Sequence, residues 1–433
     1  MIRIRSERFD IAGVPIGRLA LGLALALVPA AVIFCAWLPQ GTVGPTTPSA
    51  WPGATSSAQR LPTDSPEVTP EVGHRVVLAA DYGEEPPRIL VVDSASGGQL
   101  GSFSLPGLER NHRVRIAGGY VFYETEKGVL RGRPGGPSVE LPFVRQEFLP
   151  APDGERIVWG GCDWDEENEV CSNQISLASV DGEGERVLFE ERVQGPIEAV
   201  PLVWSPDGRY LYVTHNVLAA EGGLFGSYVG LERIDTSAGE VVNILPGDTY
   251  SDISLSPDGM SLAYIPWATP LELAVRNMAT GQETRAVLEL GLGQAGGIVW
   301  SPSGNELMLT HAVGGDDYSI VRVGIQEMEQ EVLLEKDDRR MRTVAWPSEG
   351  SVFLDDSQYT RQGVWTMDVA EGIATFLGPG EILGSMDAQD LLPELNPSAL
   401  SLGALDRIGL RPLQLGLPIV REGKSSPPRG SVA

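Results

Sequence analysis

A four-residue turn signal recurs along the middle of this 433-residue chain and restricts the folds open to it. It reads APDG, SPDG, SPDG, SPSG and finally a degenerate PSEG, and the five copies have their prolines at Pro152, Pro206, Pro257, Pro302 and Pro347. Each copy lies between two apolar runs, as in LVW-SPDG-RYLYVT. Proline presets φ for a turn, aspartate bonds its own backbone, and glycine accepts a positive φ. Each copy therefore predicts the turn of a β-hairpin.

A second signal repeats with a similar period. An Asp or Asn is followed four residues later by Gly, and both neighbouring segments resemble strands; the four copies are Asp93 to Gly97, Asp235 to Gly239, Asn277 to Gly281 and Asp368 to Gly372. From first to last they span six intervals of about 46 residues each. Two hairpins in a unit of this length predict one four-stranded blade.

The turn copies that follow an apolar residue and a tryptophan carry a family resemblance. Val203-Trp204 and Val299-Trp300 precede their Ser-Pro turns as in TolB-like and WD-type β-propeller repeats, which the chain resembles over residues 72–385. The Trp-Asp dipeptide expected at the end of the third strand is missing, which favours the TolB-like side. The resemblance implies the fold and leaves the function open.

The repeats predict an all-β propeller of four-stranded blades over residues 72–386. We count seven blades, with six or eight as alternatives because the second blade is weakly marked. The first blade has only three strand-like runs, so we expect Glu381 to Met386 (EILGSM) to supply its innermost strand and close the ring. Residues 387–433 are predicted to be a partly disordered tail.

The N-terminal region predicts a membrane anchor. Leu19 to Leu38 is a run of 20 residues without a charge, long enough to cross a bilayer as a helix. The preceding residues 1–18 carry four arginines against two acids, which predicts a cytoplasmic N-terminus and an extracytoplasmic propeller. A cleaved signal peptide is the alternative. Residues 39–71, rich in Pro, Ser and Thr, read as a linker.

The cysteines and the overall charge agree with a location outside the cell. Cys162 and Cys171 are nine residues apart, and an oxidising compartment permits them to form a disulfide. A metal pair is the competing interpretation, but no other Cys or His lies near them in sequence. The loop between them, DWDEENE, lacks the EF-hand spacing, so we expect no cofactor, with Ca²⁺ as the alternative. The net charge of −26 argues against nucleic acid as a partner.

The usual catalytic motifs are missing from the sequence. It contains no G-x-S-x-G, no P-loop and no H-E-x-x-H, and it has only four histidines. We therefore assign no catalytic residue.

Two histidines and several acids and aromatics are predicted to share one rim of the ring. His215 follows Trp204 by 11 residues and His311 follows Trp300 by 11, each as Thr-His at the end of a second strand. This places them opposite the SPDG turns. The candidate binding residues of this rim are Asp163, Trp164, Asp165, His215, Trp267, His311, Asp316, Asp317, Tyr318, Asp355 and Asp356. The alternative is that Thr-His is a structural feature of the repeat and that the acids are solvated loop residues.

These features favour a membrane-anchored, extracytoplasmic propeller that serves as a non-enzymatic binding or scaffold module. Its partner would be a protein, a peptide or a glycan outside the cell. The alternative is an extracytoplasmic hydrolase or lyase that uses the acidic rim. The sequence leaves the ligand, the pathway and the oligomeric state open.

Overall fold

The computed structural model describes residues 75–391, apart from 84–85, 111, 145–146, 218–224, 292, 314–316, 338–339 and 357–362. The predicted segments 1–18, 19–38 and 39–71, and the tail beyond 391, lie outside the described residues. Within the described part, no helix has the length and apolar character needed to span a bilayer. A single 3-10 turn, Ala388–Asp390, follows the last described strand.

The described residues form antiparallel sheets, five of them four-stranded. In the first sheet, a C-terminal strand lies beside the three N-terminal strands. Its members are β1 (Arg75–Asp81), β2 (Arg88–Asp93), β3 (Gln99–Ser104) and β27 (Glu381–Asp387). The second sheet comprises β4 (Val114–Ala117), β5 (Tyr120–Thr125), β6 (Gly128–Gly132) and β7 (Ser138–Leu141). The third comprises β8 (Phe148–Pro150), β9 (Arg156–Asp165), β10 (Val170–Ser179) and β11 (Arg186–Gln194).

A seven-stranded sheet follows in the chain, and then the last two four-stranded sheets. The seven-stranded sheet runs through β12 (Ile197–Trp204), β13 (Tyr210–Val217), β14 (Tyr228–Asp235), β15 (Val241–Leu255), β16 (Ser261–Pro266), β17 (Glu272–Asn277) and β18 (Glu283–Val287). The next sheet comprises β19 (Gln294–Trp300), β20 (Glu306–Val313), β21 (Asp317–Gly324) and β22 (Gln330–Asp337). The last comprises β23 (Met341–Ser348), β24 (Ser351–Asp356), β25 (Gly363–Asp368) and β26 (Ala374–Pro379).

The innermost strands of successive sheets contact one another and close a ring. β27 contacts β4, β4 contacts β8, and β8 contacts β12. β15 contacts β19, β19 contacts β23, and β23 contacts β27. The closing strand β27 pairs with β1 in the register Val76↔Met386, which confirms the predicted role of EILGSM. The described residues thus form an all-β propeller of four-stranded blades.

The SPDG copies make the predicted hairpin turns. In the copy at 205–208, the Gly208 amide donates to the Ser205 carbonyl at 2.8 Å, and the Ser205 amide donates to Tyr210 O at 2.8 Å. Asp207 Oδ1 accepts from the Ser205 hydroxyl at 2.5 Å and from the Arg209 amide at 3.0 Å. Gly208 has φ +66°, a conformation that costs other residues more than glycine. The residue types of the motif are therefore those that the turn requires.

A tryptophan precedes two of the three Ser-Pro turns and links its sheet to the preceding one. Trp204 Nε1 donates to the Leu149 carbonyl at 3.3 Å, and Trp300 Nε1 donates to the Ser254 carbonyl at 3.2 Å. Both indoles are buried among apolar side chains of two adjoining sheets. Burial of such a large side chain contributes roughly 2–3 kcal/mol. The repeat of apolar residue, Trp, Ser and Pro therefore encodes the packing between blades as well as a turn.

Candidate functional site

Most of the sequence-predicted residues lie where the second strand of a blade ends, opposite the SPDG turns. His215 lies in β13, His311 in β20, and Asp355 and Asp356 at the end of β24. Trp267 follows β16, and Asp317 and Tyr318 begin β21. Asp316 lies outside the described residues. The structure distributes these residues over separate sheets and does not bring them together as one cluster.

The hairpin β9–β10 carries Asp163, Trp164 and Asp165 at its tip. Asp165 Oδ1 accepts from the amides of Glu167 and Asn168, both at 3.1 Å, so this carboxylate stabilises its own turn. The hairpin contains the predicted disulfide between Cys162 and Cys171, whose Cα atoms are 5.5 Å apart. In the described part of the chain, no three His, Cys, Asp or Glu side chains are arranged to hold a metal ion.

A cavity of about 350 Å³ opens beside Trp267. Its wall comes from the end of β16 and the loop after it, from β15, and from the start of β19. The lining residues are Ser251, Pro266, Trp267, Ala268, Thr269, Leu271, Gly293, Gln294 and Ala295. None of the nine lining residues is charged, and Trp267 is 53% exposed. The cavity therefore offers an accessible aromatic face together with amide, hydroxyl and carbonyl groups.

His311 lies directly behind the cavity wall formed by Gly293. A Cβ atom on Gly293 would be 2.5 Å from His311 Nε2 and 2.4 Å from the Ala312 carbonyl oxygen, so the backbone approaches the imidazole with no room for a side chain. His311 is 2% exposed, and its Nε2 has no hydrogen-bond partner among the described residues. Burial lowers the pKa of His311, which keeps the ring neutral at neutral pH.

His215 has polar partners instead. Its Nε2 lies 2.5 Å from Glu191 Oε1, and Asn173 Nδ2 donates to the same oxygen at 3.0 Å. Burial by itself would lower the pKa of His215, but the hydrogen bond and the charge of Glu191 outweigh it, so the pKa is raised. Asn173 also accepts from the Ala199 amide at 3.0 Å, which joins the pair to β12. The geometry of His215 is that of an ion pair between two blades.

A set of charged side chains on the inner strands was not identified from the sequence. The set consists of Arg113, Arg115, Glu147, Glu198, Asp252, Arg342 and Glu381. Each lies in, or a residue or two before, the strand nearest the ring axis. Arg113 pairs with Glu147, and Arg342 Nη2 pairs with Asp355 Oδ2 at 3.2 Å. The sequence did contain a feature that could have indicated these residues. It is a single charged residue within an apolar inner strand, as in VRIA, IEAVPLVW and MRTVAW.

Burial raises the pKa of several groups in this inner-strand set. For Glu198, burial acts together with the charge of Glu147. For Asp252, burial outweighs the amides of Ile298 and Ile253, which donate to its carboxylate at 2.7 and 2.8 Å. Acids with perturbed pKa values are found both at functional sites and in structural ion-pair networks.

No protein-family model matches the chain, and no curated protein sequence does. The chain is similar to several solved propeller structures, all at low identity. A putative TolB from Agrobacterium tumefaciens is 14% identical with a TM-score of 0.38, covering 62% of this chain and 92% of that one. TolB from Acinetobacter baumannii is 14% identical with a TM-score of 0.40, covering 72% and 81%. Oligogalacturonate lyase from Vibrio parahaemolyticus is 10% identical with a TM-score of 0.49, covering 68% and 86%. TolB proteins are thus among the structures that the chain resembles, as the SPDG repeats predicted.

Proposed function

We propose that the protein is a non-enzymatic binding module whose ligand, a peptide or glycan, occupies the cavity beside Trp267. The observation that carries this proposal is a half-exposed indole at a cavity lined by uncharged groups. Such a lining lacks charges that would select an ion, and it suits a ligand with an apolar face and neutral hydrogen-bonding groups. Sugar rings and peptide side chains both have this character.

We propose in addition that the ring has seven blades, the seven-stranded sheet being two blades that share one strand. The observation is the length of β15, which has 15 residues. Its first part pairs with β14, as in Leu231↔Leu245, and its second part pairs with β16, as in Ile253↔Tyr264. The strand thus serves as the outermost member of one blade and the innermost member of the next.

The proposed setting is outside the cell, with residues 19–38 as the membrane anchor. It rests on the apolar run and the charge asymmetry of the sequence. Protease treatment of intact cells that express the chain tests it, because an extracytoplasmic propeller is cleaved from the surface. Complete protection of the acidic domain would contradict this setting.

A hydrolase or lyase is the second candidate. It is favoured by Glu198, at the ring axis, because burial and, to a lesser extent, the charge of Glu147 raise the pKa of its carboxyl group. A carboxyl group in such surroundings can serve as a general acid.

Binding of the full chain, purified in detergent micelles, to a glycan array and a tripeptide library separates the two candidates. We expect the ligand that it retains to bind about tenfold or more weakly to Trp267→Ala, because the exposed indole supplies the contact face. Phe376→Ala is the matched control, since it removes a 49% exposed aromatic side chain from the outer strand β26, and it should leave binding unchanged. Turnover of a retained glycan or peptide, abolished by Glu198→Gln, would replace the binding proposal with the enzymatic one.

A further inference from the structure

The hydroxyl group of Ser251 lies at the inner end of the Trp267 cavity. Ser251 lines the cavity and is only 4% exposed, whereas Trp267 is 53% exposed and lies at the mouth. Ser251 Oγ donates to the Ala295 carbonyl at 2.7 Å, and the next acceptor, the Ile265 carbonyl, is 3.5 Å away. A serine hydroxyl has one proton and two lone pairs. Because its proton is directed at a carbonyl of the protein, Ser251 can act only as an acceptor towards a ligand.

The wall segment beside Ser251 has no amide available at its first two residues. Pro266 has no N–H group, and the Trp267 amide donates to the Thr249 carbonyl at 2.9 Å. A ligand group that enters between Ser251 and the indole therefore meets a hydroxyl oxygen and an aromatic face. It must supply a hydrogen-bond donor for the oxygen and an apolar surface for the ring.

The charges around the cavity favour a neutral ligand. None of the nine lining residues is charged, and the chain as a whole carries a net charge of −26. An anionic group would find no cationic partner in the lining. An ammonium group would lose hydration there without gaining a carboxylate.

We propose that the cavity binds a neutral sugar residue, whose C–H face packs on the indole of Trp267 while one of its hydroxyl groups donates to Ser251 Oγ. This inference rests on the proposed function and narrows its ligand from a peptide or glycan to a glycan. The volume of about 350 Å³ is near the lower end for small-molecule sites, so it suits a single sugar ring.

The chemistry of hydroxyl groups distinguishes a sugar from a peptide at this position. A sugar hydroxyl rotates to donate or to accept, so it can satisfy the Ser251 oxygen and equally the polar groups nearer the mouth. A peptide carries a carbonyl acceptor for each N–H donor. Beside Ser251 such a carbonyl would face an oxygen that cannot donate to it, and no amide of Pro266 or Trp267 could replace that donor.

The first test compares neutral sugars with a charged sugar and a peptide. Methyl glycosides of glucose, galactose, mannose and N-acetylglucosamine are titrated into the full chain and followed by saturation-transfer difference NMR. The micelles consist of a zwitterionic detergent without a sugar headgroup. We expect the best glycoside to bind about tenfold or more tightly than its uronic acid counterpart and than Gly-Pro-Gly with blocked termini. Failure of all four glycosides to bind, or tighter binding of the acid or the peptide, would overturn the proposal.

The second test combines changes in the protein with changes in the ligand. Each deoxy derivative of the best glycoside lacks one hydroxyl group. We expect one derivative to bind the unmodified chain about tenfold more weakly than the parent glycoside, and to bind Ser251→Ala as tightly as the parent does. If Ser251→Ala weakened the parent and every derivative by one common factor, the hydroxyl would have only a structural role and the contact would be refuted. Ser251→Cys, whose sulfur is a weak acceptor, serves for the same comparison if the alanine variant does not fold.

Thr343→Val is the matched control for Ser251→Ala. Thr343 is likewise buried on an inner strand, and its hydroxyl donates to the Gly297 carbonyl of the neighbouring blade, outside the cavity lining. This variant should bind the parent glycoside as the unmodified chain does.

Trp267→Ala separates a failure of this inference from a failure of the proposed function. If the blocked peptide binds through Trp267 and no glycoside binds, the sugar assignment is wrong and the binding module stands. If glycosides or peptides bind but Trp267→Ala weakens none of them, both proposals are wrong.

Discussion

His215 and His311 occupy the same position in two repeats and have different surroundings. Each follows a threonine, and each lies opposite an alanine of the adjacent strand, in the pairs Ala199↔His215 and Ala295↔His311. The neighbouring blade supplies Glu191 to His215, whereas His311 is enclosed behind Gly293 with an unpartnered Nε2. The repeat therefore determines where an imidazole lies, and the residues of the adjoining sheet determine its chemistry.

The tightest test of the His311 surroundings is Gly293→Ala. The added Cβ would be 2.4 Å from Ala312 O and 2.5 Å from His311 Nε2, so either the backbone of a strand or the imidazole of His311 must move. We expect the free energy of unfolding to fall by about 3 kcal/mol, measured by urea denaturation of the full chain. Gly161→Ala is the control. The nearest atom to its added Cβ would be Glu198 Oε1 at 4.0 Å, an ordinary van der Waals distance. Equal denaturation midpoints for the two variants would contradict the described packing.

The pair at His215 predicts a smaller loss for His215→Leu. The substitution leaves the Glu191 carboxylate with only Asn173 as a hydrogen-bond partner in a half-buried place between two blades. We expect the free energy of unfolding to fall by about 2 kcal/mol. The measurement is urea denaturation at pH 6, where the pair is charged. The double substitution His215→Leu with Glu191→Leu should recover part of the loss, and a failure to recover would show that packing, not the pair, is responsible.

The dependence of stability on pH should have opposite signs at the two histidines. The pKa of His215 is raised above 6.5, so its contribution is complete below pH 6.5 and is lost as the pH rises through the folded-state pKa. The pKa of His311 is lowered, so stability is lost as the pH falls from 6.5 towards its folded-state pKa. Unfolding measured from pH 5 to pH 9 should show the alkaline loss disappear in His215→Leu and the acid loss shrink in His311→Leu. Identical profiles for both variants would refute the comparison.

The smallest effect is expected for His311→Leu at pH 8. The substitution removes an unpartnered buried nitrogen and keeps an apolar side chain of similar size, so the change in unfolding free energy should stay below about 1 kcal/mol in either direction. Thermal unfolding followed by tryptophan fluorescence is sufficient to measure it. A loss comparable to that of His215→Leu would reveal a polar partner of His311.

The fold could be predicted from short sequence motifs, because the turns depend on hydrogen bonds within each motif. Each Ser-Pro-Asp-Gly copy supplies its own hydrogen bonds within six residues, as Ser205 and Asp207 do, so the hairpins can be predicted without knowing their neighbours. The spacing of these turns then gives the blade as a unit. The strand EILGSM was predicted to close the ring because the first blade lacked one strand, and its pairing with β1 confirms this.

Only part of the candidate site could be predicted from the sequence. Trp267 was selected from the sequence and lines the cavity, but the other side of that cavity comes from Gly293, Gln294 and Ala295, on the next sheet. Arg113, Glu147 and Glu198 were missed, because a lone charge in or next to an inner strand has no meaning until the ring brings several such strands together. Asp165, by contrast, was selected for its charge and stabilises its own turn.

The sequence by itself determined the repeating hairpin, the blade and the closure of the ring, because each depends on turn chemistry and on apolar alternation over a few dozen residues. The tertiary structure alone decided which polar groups face one another. Partners such as Glu191 and His215, or Arg113 and Glu147, belong to different sheets, and neither turn signals nor hydrophobic periodicity carry information about contacts between sheets. Charge pairing and burial at the ring axis arise from the arrangement of the blades around it.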